Sequence, residues 1–515
     1  MPSSEHERDG NALEAAPPLP AATEEPFTIF DKRQKWFIVF LVSVAATCTS
    51  PSPKCSLPQV LPPLASNIYF PALPAVAADL DVSMELATLT VTSYLVLQGL
   101  APSLWGPVSD VRGRRVAYLG TFLVFLGACV GLGLTRNYAT LVALRCLQSA
   151  GSASTIAVGA GVVGDVTTRA ERGGFMGVFQ AGLLTPVAVG PVVGGAIAGA
   201  LGWRAVFWFL AAYSGAFLLA LAAALPETLR SLVGNGSVVL EGNWLARYPL
   251  GVYQRTTRVR WDRSAPPAAL PPPRRIDVLG PLRILGSRCA TPIIVFLAVY
   301  YTVWQMSITA MSSLFKERYG LSEMQIGLTF IANGVGCVVG TLVTGRILDA
   351  DYRRFKTRLA AAWGGTDGDE ASFPIEMARL RLIPVFSILQ CLSLLLFGWT
   401  VQYPRSVPIA IPIMSTFVTG WTAISTQSII TTYLVDVFPD RSAAATASLN
   451  LARCLFAAGG TSFIMPMISG LGVGWTFTVC VAVQLVALIG PLVQYRYAGK
   501  WRMEMEKEAE NSSKV

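Results

Sequence analysis

The sequence predicts an all-α integral membrane protein, with twelve helices arranged as two pseudo-symmetric six-helix bundles. Three observations predict it. Of 515 residues, 53% are hydrophobic and 14% charged, with a mean hydropathy of +0.51, whereas an ordinary soluble globule carries about 25% charged residues. Apolar runs of about 20 residues, the length a helix needs to cross the hydrocarbon core, recur along the chain. Finally, Gly106-Pro-Val-Ser-Asp110-Val-Arg-Gly113-Arg114-Arg115 returns in altered form as Gly345-Arg-Ile-Leu-Asp349-Ala-Asp-Tyr352-Arg353-Arg354, each time where an apolar helix runs into a basic turn. The spacing is far too long for a solenoid, so the repeated unit is a whole bundle half. Such doubling marks secondary transporters.

Taken in order, residues 1–35 form a tail rich in Glu, Ala and Pro without periodicity, expected to be disordered and cytosolic. The N-terminal bundle occupies 36–225, with spans over 86–108, 116–134, 138–161, 174–200 and 204–225 after an irregular first one. In that first span Trp36 to Thr47 is apolar, but Pro51, Pro53, Lys54, Pro58, Pro62 and Pro63 interrupt it before Leu64 to Phe70. No helix continues through so many prolines, and a lysine in hydrocarbon costs ~3 kcal/mol. Residues 48–62 are therefore either an outer-leaflet loop or a stretch foreign to the mature protein, such as translated intron. The second reading is preferred because joining Thr47 to Pro63 leaves one normal crossing. Residues 226–288 make a basic linker, carrying Arg255, Arg258, Arg260 and Arg263 and then Pro266, Pro267 and Pro271 to Pro273, partly disordered and suited to anionic lipid. The C-terminal bundle, 289–496, has spans over 290–314, 325–348, 382–402, 407–435, 442–469 and 474–495, and a cytosolic tail follows at 497–515.

The net charge of +9 does not point to nucleic acid, because the arginines sit in short turns and in the linker, not on one continuous face. They read as topology signals. Arg112, Arg114, Arg115, Arg169, Arg172, Arg353, Arg354, Lys356, Arg358 and Arg441 gather on one side with the linker and tails; the other side holds only Arg136, Arg204, Lys316, Arg318 and Arg405. Both termini are accordingly expected in the cytosol. Cys129, Cys146, Cys337, Cys391, Cys454 and Cys480 fall inside apolar runs with no CxxC spacing and read as small core residues. The only histidine is His6, in the tail, which removes a His proton relay and a His metal site. With no His, Cys or carboxylate cluster at ligand or nucleophile spacing, neither an enzyme nor a metal or cofactor is expected.

Within the repeated segment, Gly106 permits close helix approach, Gly113 a tight turn, and Arg114 and Arg115 anchor that turn; Gly345, Arg353 and Arg354 hold the same places in the second half. Asp110 and Asp349, acids at helix ends just inside the interface, need partners such as an arginine or a helix N-terminus. Arg145 lies several residues inside an apolar run, followed by Gln148, and marks a polar pathway or a structural bond to backbone carbonyls. Arg453 is similar but nearer a helix end, and divides between packing and function. Gly190, Pro191, Gly194 and Gly195 place small residues and a kink on one helix face, chiefly for packing. Asn67, Tyr69, Gln98, Gln180, Tyr300, Tyr301, Trp304, Gln305, Asn333 and Gln427 are candidates to line a cavity; aromatic surfaces with scattered amides suit amphipathic or cationic organic molecules.

At these residues the chain resembles the major facilitator superfamily: Gly106 to Arg115 is similar to its loop 2-3 signature, Arg145 to Gly151 to its helix 4 signature, and Gly190 to Gly195 to the helix 5 signature of antiporters. More narrowly, Ser66-Asn-Ile-Tyr-Phe-Pro-Ala-Leu-Pro, Arg145-Cys-Leu-Gln-Ser-Ala-Gly, Glu171-Arg-Gly-Gly-Phe-Met-Gly and Gly474-Trp-Thr-Phe resemble the fungal quinidine-resistance type of drug:proton antiporter with twelve spans. The resemblance implies alternating access and export of drugs or other organic cations across the plasma membrane against proton entry. It also implies that Asp110 braces the contact between halves and that Arg145 serves the proton or substrate pathway. Small-molecule cargo, protons and lipid are the expected partners, and a monomer is expected. Two features depart from the pattern: Pro186 replaces the first glycine of the helix 5 signature, and the first span is interrupted. No Asp or Glu lies near the middle of a span; Asp110, Asp165, Asp349 and Asp436 all sit at basic ends. A proton-independent facilitator, or a carrier of an endogenous metabolite such as a polyamine, is the alternative.

Overall fold

The computed structural model describes residues 28–44, 61–168, 175, 189–238, 244–257, 259, 280–362, 375–438 and 442–513, and every regular element among them is helical. At the start of the first half, prolines set the short described helices that follow α1. Helix α1 (Lys32–Val44) precedes α2 (Leu61–Asn67), a 3-10 turn (Phe70–Ala72) and α3 (Leu73–Asp79). Pro62 and Pro63 open α2, and the turn and α3 each carry proline at the first positions, where a missing N–H costs nothing. The questioned stretch 48–62 lies outside the described residues except for Leu61 and Pro62.

Local chemistry places the remaining ends. Ser83 accepts from the Leu86 amide (3.3 Å) to cap α4 (Met84–Arg112), and Asn137 accepts from Thr140 (2.8 Å) to cap α6 (Tyr138–Ser152). Gly113, at φ +108°, separates α4 from α5 (Arg114–Leu134), a conformation that L side chains rarely adopt. Helix α7 (Ser154–Val166) continues the line of α6, and α8 (Val189–Leu201) and α9 (Trp203–Ala224) complete this half. After α10 (Arg230–Val233), α11 (Trp244–Thr256) and α12 (Gly280–Leu285), the second half runs through α13 (Thr291–Tyr319), α14 (Glu323–Ala362), α15 (Ile375–Leu380), α16 (Ile383–Gln402), α17 (Ala410–Val437), α18 (Ser442–Leu471), α19 (Val473–Ala487) and α20 (Ile489–Ser513).

Eight described helical stretches are long and apolar enough to cross a bilayer. Helices α4 and α17 have the length, at 29 and 28 residues, but their many Ser, Thr and Gln residues dilute the hydropathy. The packing repeats between halves: α4 on α6, α5 on α6 and α5 on α9 correspond to α14 on α17, α16 on α17 and α16 on α19. The doubled bundle is thus a property of the packing as well as of the sequence.

Two expectations are corrected. The second copy of the repeat does not end in a turn: α14 runs unbroken from Glu323 to Ala362 through Gly345, Asp349, Arg353 and Arg354. The reason lies at one position. Tyr352 stands where the first copy has Gly113, and a tyrosine resists the positive φ that breaks the helix there. The described parts of the linker are also packed. Tyr253 donates from its hydroxyl to the Ala224 carbonyl (3.0 Å), its ring meets Phe30 edge-on (5.8 Å), Gln34 donates to the Tyr253 carbonyl (3.1 Å), and the Ile29 amide donates to Asn235 (3.0 Å). Burial pushes the Tyr253 hydroxyl pKa up. Residues 28–35, assigned to the tail, are therefore part of the folded first half.

Candidate functional site

Arg145 sits on α6, one turn before Gln148, and is 1% exposed. Its Nη1 donates to Gln148 Oε1 (2.7 Å) and more distantly to the Ala65 carbonyl (3.5 Å). The guanidinium lies between two aromatic faces, 4.3 Å from the centre of the Tyr69 ring and 4.4 Å from that of Tyr94. Those rings are fixed from behind, Tyr69 by a hydroxyl contact with Thr90 (2.9 Å) and Tyr94 by one with Ser152 (2.7 Å). Gln148 Nε2 in turn donates to Cys129 Sγ (3.3 Å). Each desolvated cation–π contact contributes about 2 kcal/mol, yet Nε has no partner and no carboxylate among the described residues pairs with the charge. The arrangement leaves a buried, uncompensated positive centre, able to attract an anionic or electron-rich group.

A second guanidinium stands on the other half. Arg453 of α18 donates from Nε and Nη2 to Asn450 Oδ1 (3.2 and 2.9 Å) and lies 4.8 Å from the centre of the Tyr301 ring. Tyr301 meets Trp304 edge-on at 5.5 Å, and the Trp304 indole donates to Asn333 Oδ1 (3.1 Å). These candidates form one connected group. Tyr300 does not join it: its ring packs on Phe296 (4.3 Å) inside the apolar core of the second half. Gln305 is buried on the same helix, and Gln427 is half-buried on α17. Asn67 bonds Ser66 (3.4 Å) beside Gly190, and Gln98 keeps a buried, unpartnered Oε1. Gln180 lies outside the described residues.

At the basic end Arg114 collects its neighbours. Its Nη1 donates to Asp110 Oδ1 (2.6 Å) and Ser109 Oγ (2.9 Å), and its Nε to Asp165 Oδ2 (2.9 Å). Asp110 is half-exposed, at 49%, against 15% for Asp165. Arg115 turns away, donating to the Leu225 carbonyl (2.7 Å) and to that of Ala222. The cluster holds a residue that the sequence reading missed. Glu227, 3% exposed and assigned to the linker, accepts from the amides of Arg114 (2.8 Å), Thr228 (3.0 Å), Leu229 (3.0 Å) and Arg115 (3.2 Å). A carboxylate on the N-terminus of α5 satisfies otherwise orphaned donors and complements the helix dipole. It also fills the space beside Gly113, so a Cβ there meets the Glu227 carboxylate.

In the second half, Arg354 reaches Asp351 at 3.9 Å and is 75% exposed; the side chains of Asp349 and Arg353 lie outside the described set. The pair that matches Arg114 and Asp165 in position comes from elsewhere: Arg379 of α15 donates to Asp436 of α17 at 2.8 Å.

Among the described residues, the halves meet away from this basic end. Phe70 stacks on Phe330 (6.2 Å), a Cβ at Gly195 meets the Glu323 carbonyl and Gly327, and one at Gly327 meets the Pro191 carbonyl. Within the first half, Gly194 lies against the Ile68 carbonyl. Thr92 of α4 contacts Thr461 and Ser462 of α18 (3.0 and 3.2 Å), and Gly99 faces Cys454 and Leu451. Toward the basic end, a Cβ at Gly106 or Gly345 meets nothing within 4 Å.

Comparisons with known proteins agree with this geometry. The family model described as Major Facilitator Superfamily matches residues 59–461. Citrate exporter 1 of Aspergillus niger is 37% identical over 499 residues, covering 95% of this chain and 90% of its own. The MFS antiporter QDR2 of Candida albicans is 34% identical over 458 residues, 88% of this chain and 87% of that one, which bears out the resemblance to quinidine-resistance-type exporters. Among solved structures, a D-xylose-proton symporter superposes with a TM-score of 0.61 over 90% of this chain and 98% of that chain, at 14% identity, so fold alone is shared. With a family match over most of its length, close relatives that are transporters and membrane-length helices in two repeated halves, this multi-pass membrane chain belongs to the Major Facilitator Superfamily.

Proposed function

We propose that the chain exports small organic molecules by alternating access, in exchange for protons, from a plasma membrane with both termini in the cytosol. The observation that carries this reading is the pair of guanidiniums, Arg145 and Arg453, held on tyrosine rings in opposite halves, while among the described residues the contacts between halves lie away from Gly106 and Gly345 at the basic end. The excess of arginine at that end supports its placement in the cytosol, and the relatives named as exporter and antiporter support the direction. Asp165, which shares Arg114 with Asp110, is the carboxylate best placed to exchange a proton as the ion pairs open and close. Amphipathic drugs fit the tyrosines, Trp304 and the amides. A second cargo class, organic anions, is favoured by one specific feature: neither Arg145 nor Arg453 pairs with a carboxylate among the described residues, and no Asp or Glu lies mid-span in the sequence.

Everted vesicles test the reading with labelled citrate and a fluorescent organic cation as probes. Uptake of one of them is expected to rise when the lumen is made acidic. Uptake of either that ignores the pH gradient contradicts proton exchange, and uptake of neither above empty vesicles contradicts the cargo assignment.

A further inference from the structure

In an α-helix the carbonyl of residue i accepts from the amide of residue i+4. In α4 the carbonyl of Gln98 should accept from residue 102, which is Pro102 and has no amide hydrogen. The freed acceptor is met from the other half of the molecule: Asn450 of α18 donates from Nδ2 to the Gln98 carbonyl at 3.2 Å. The same amide uses its oxygen for Arg453, accepting from Nε and Nη2. Next to it Gly99 lets the backbones approach, since a Cβ there lies 3.1 Å from that of Cys454. One side chain is thereby committed at both ends, to a backbone acceptor freed by proline in one half and to a half-buried cation in its own.

We infer that Asn450 is a positioning residue that ties the orientation of Arg453 to the docking of α18 on the Pro102 break of α4, and so favours the state whose basic end is open. The inference goes beyond the exporter reading and rests on its alternating access. While α18 is seated on Gln98, the amide nitrogen is occupied and the oxygen must face Arg453. When the helices separate, the Gln98 carbonyl loses the Asn450 donor and the amide is released to turn, so Arg453 loses a fixed acceptor. A proline in a transmembrane helix normally costs a hydrogen bond; here the bond is remade across the interface, which makes it sensitive to the state of the transporter.

Two substitutions isolate the tie without removing Arg453. Asn450→Asp keeps the acceptor for the guanidinium and deletes the donor for Gln98. Pro102→Ala supplies an amide hydrogen within α4 that competes with Asn450, and it favours the helix rather than endangering folding. The full-length chain in nanodiscs, without added cargo, is labelled with spin probes on non-thiol side chains introduced at Arg112 and Arg381, both exposed near the basic end; non-thiol chemistry spares Cys454, which touches Asn450. Pulsed dipolar spectroscopy then reads the ratio of long to short distances. Each single variant is expected to lower that ratio about fivefold, the effect of one ordinary hydrogen bond, and the double variant is expected to match the singles because both remove the same bond. A ratio unchanged in either single variant, or a double variant in which the two shifts multiply, overturns the tie. A single fixed distance in the wild-type protein instead overturns the alternating-access reading beneath it.

Discussion

Among individual residues, Arg145 stands out because an arginine inside an apolar run must find polar or aromatic partners, and the structure surrounds it with Tyr69, Tyr94 and Gln148 and brings it near the Ala65 carbonyl. Replacing it with alanine is expected to abolish efflux while the chain still folds and reaches the membrane; Arg145→Lys keeps the charge without the planar fork and should retain only part of the activity. Efflux at the wild-type rate from Arg145→Ala, measured beside an expression control, removes Arg145 from the pathway. Other residues were not legible. Tyr300 and Tyr301 looked equivalent in sequence, but neighbours on a helix point about 100° apart, so only one can face Arg453. Glu227 was hidden because its partners are all backbone amides, two of them of residues far back in the chain, and nothing in a side-chain pattern announces a backbone bond.

At the level of helices, most spans could be read from length and hydropathy. The repeat was read correctly as a repeat and wrongly as a repeated turn. Gly113 and Tyr352 decide the difference, since positive φ is accessible to one and strained for the other. Gly113→Ala is therefore expected to destabilise the protein by about 2 kcal/mol through backbone strain, and further by pressing on Glu227. The check is a detergent melting series in which Gly113→Ala falls well below Gly106→Ala, whose Cβ enters open space. Equal melting temperatures contradict the strained-junction account. The partner pair Arg379 and Asp436 escaped notice for the same reason: with the turn gone from α14, the arginine that faces the end of α17 comes from α15 instead of from the repeated segment.

For the whole molecule, two six-helix halves follow from the doubled sequence, and the contacts between them do not. Those contacts are made by glycines, carbonyls and aromatic faces, Gly195 and Gly327 at the α8 and α14 crossing, Phe70 on Phe330, Thr92 against Thr461, whose pairing across the chain no local pattern encodes. Among the described residues they lie away from the basic end, where a Cβ at either signature glycine, Gly106 or Gly345, meets nothing within 4 Å. A transporter working by alternating access must part them in every cycle. The most direct measurement is a reversible crosslink of Phe70→Cys to Phe330→Cys, whose parent rings lie 6.2 Å apart, with transport followed in everted vesicles using the probe that the wild-type protein accumulates. Oxidation is expected to stop uptake and reduction to restore it, with the uncrosslinked double variant active throughout. Uptake that continues at full rate while the crosslink is complete contradicts the account.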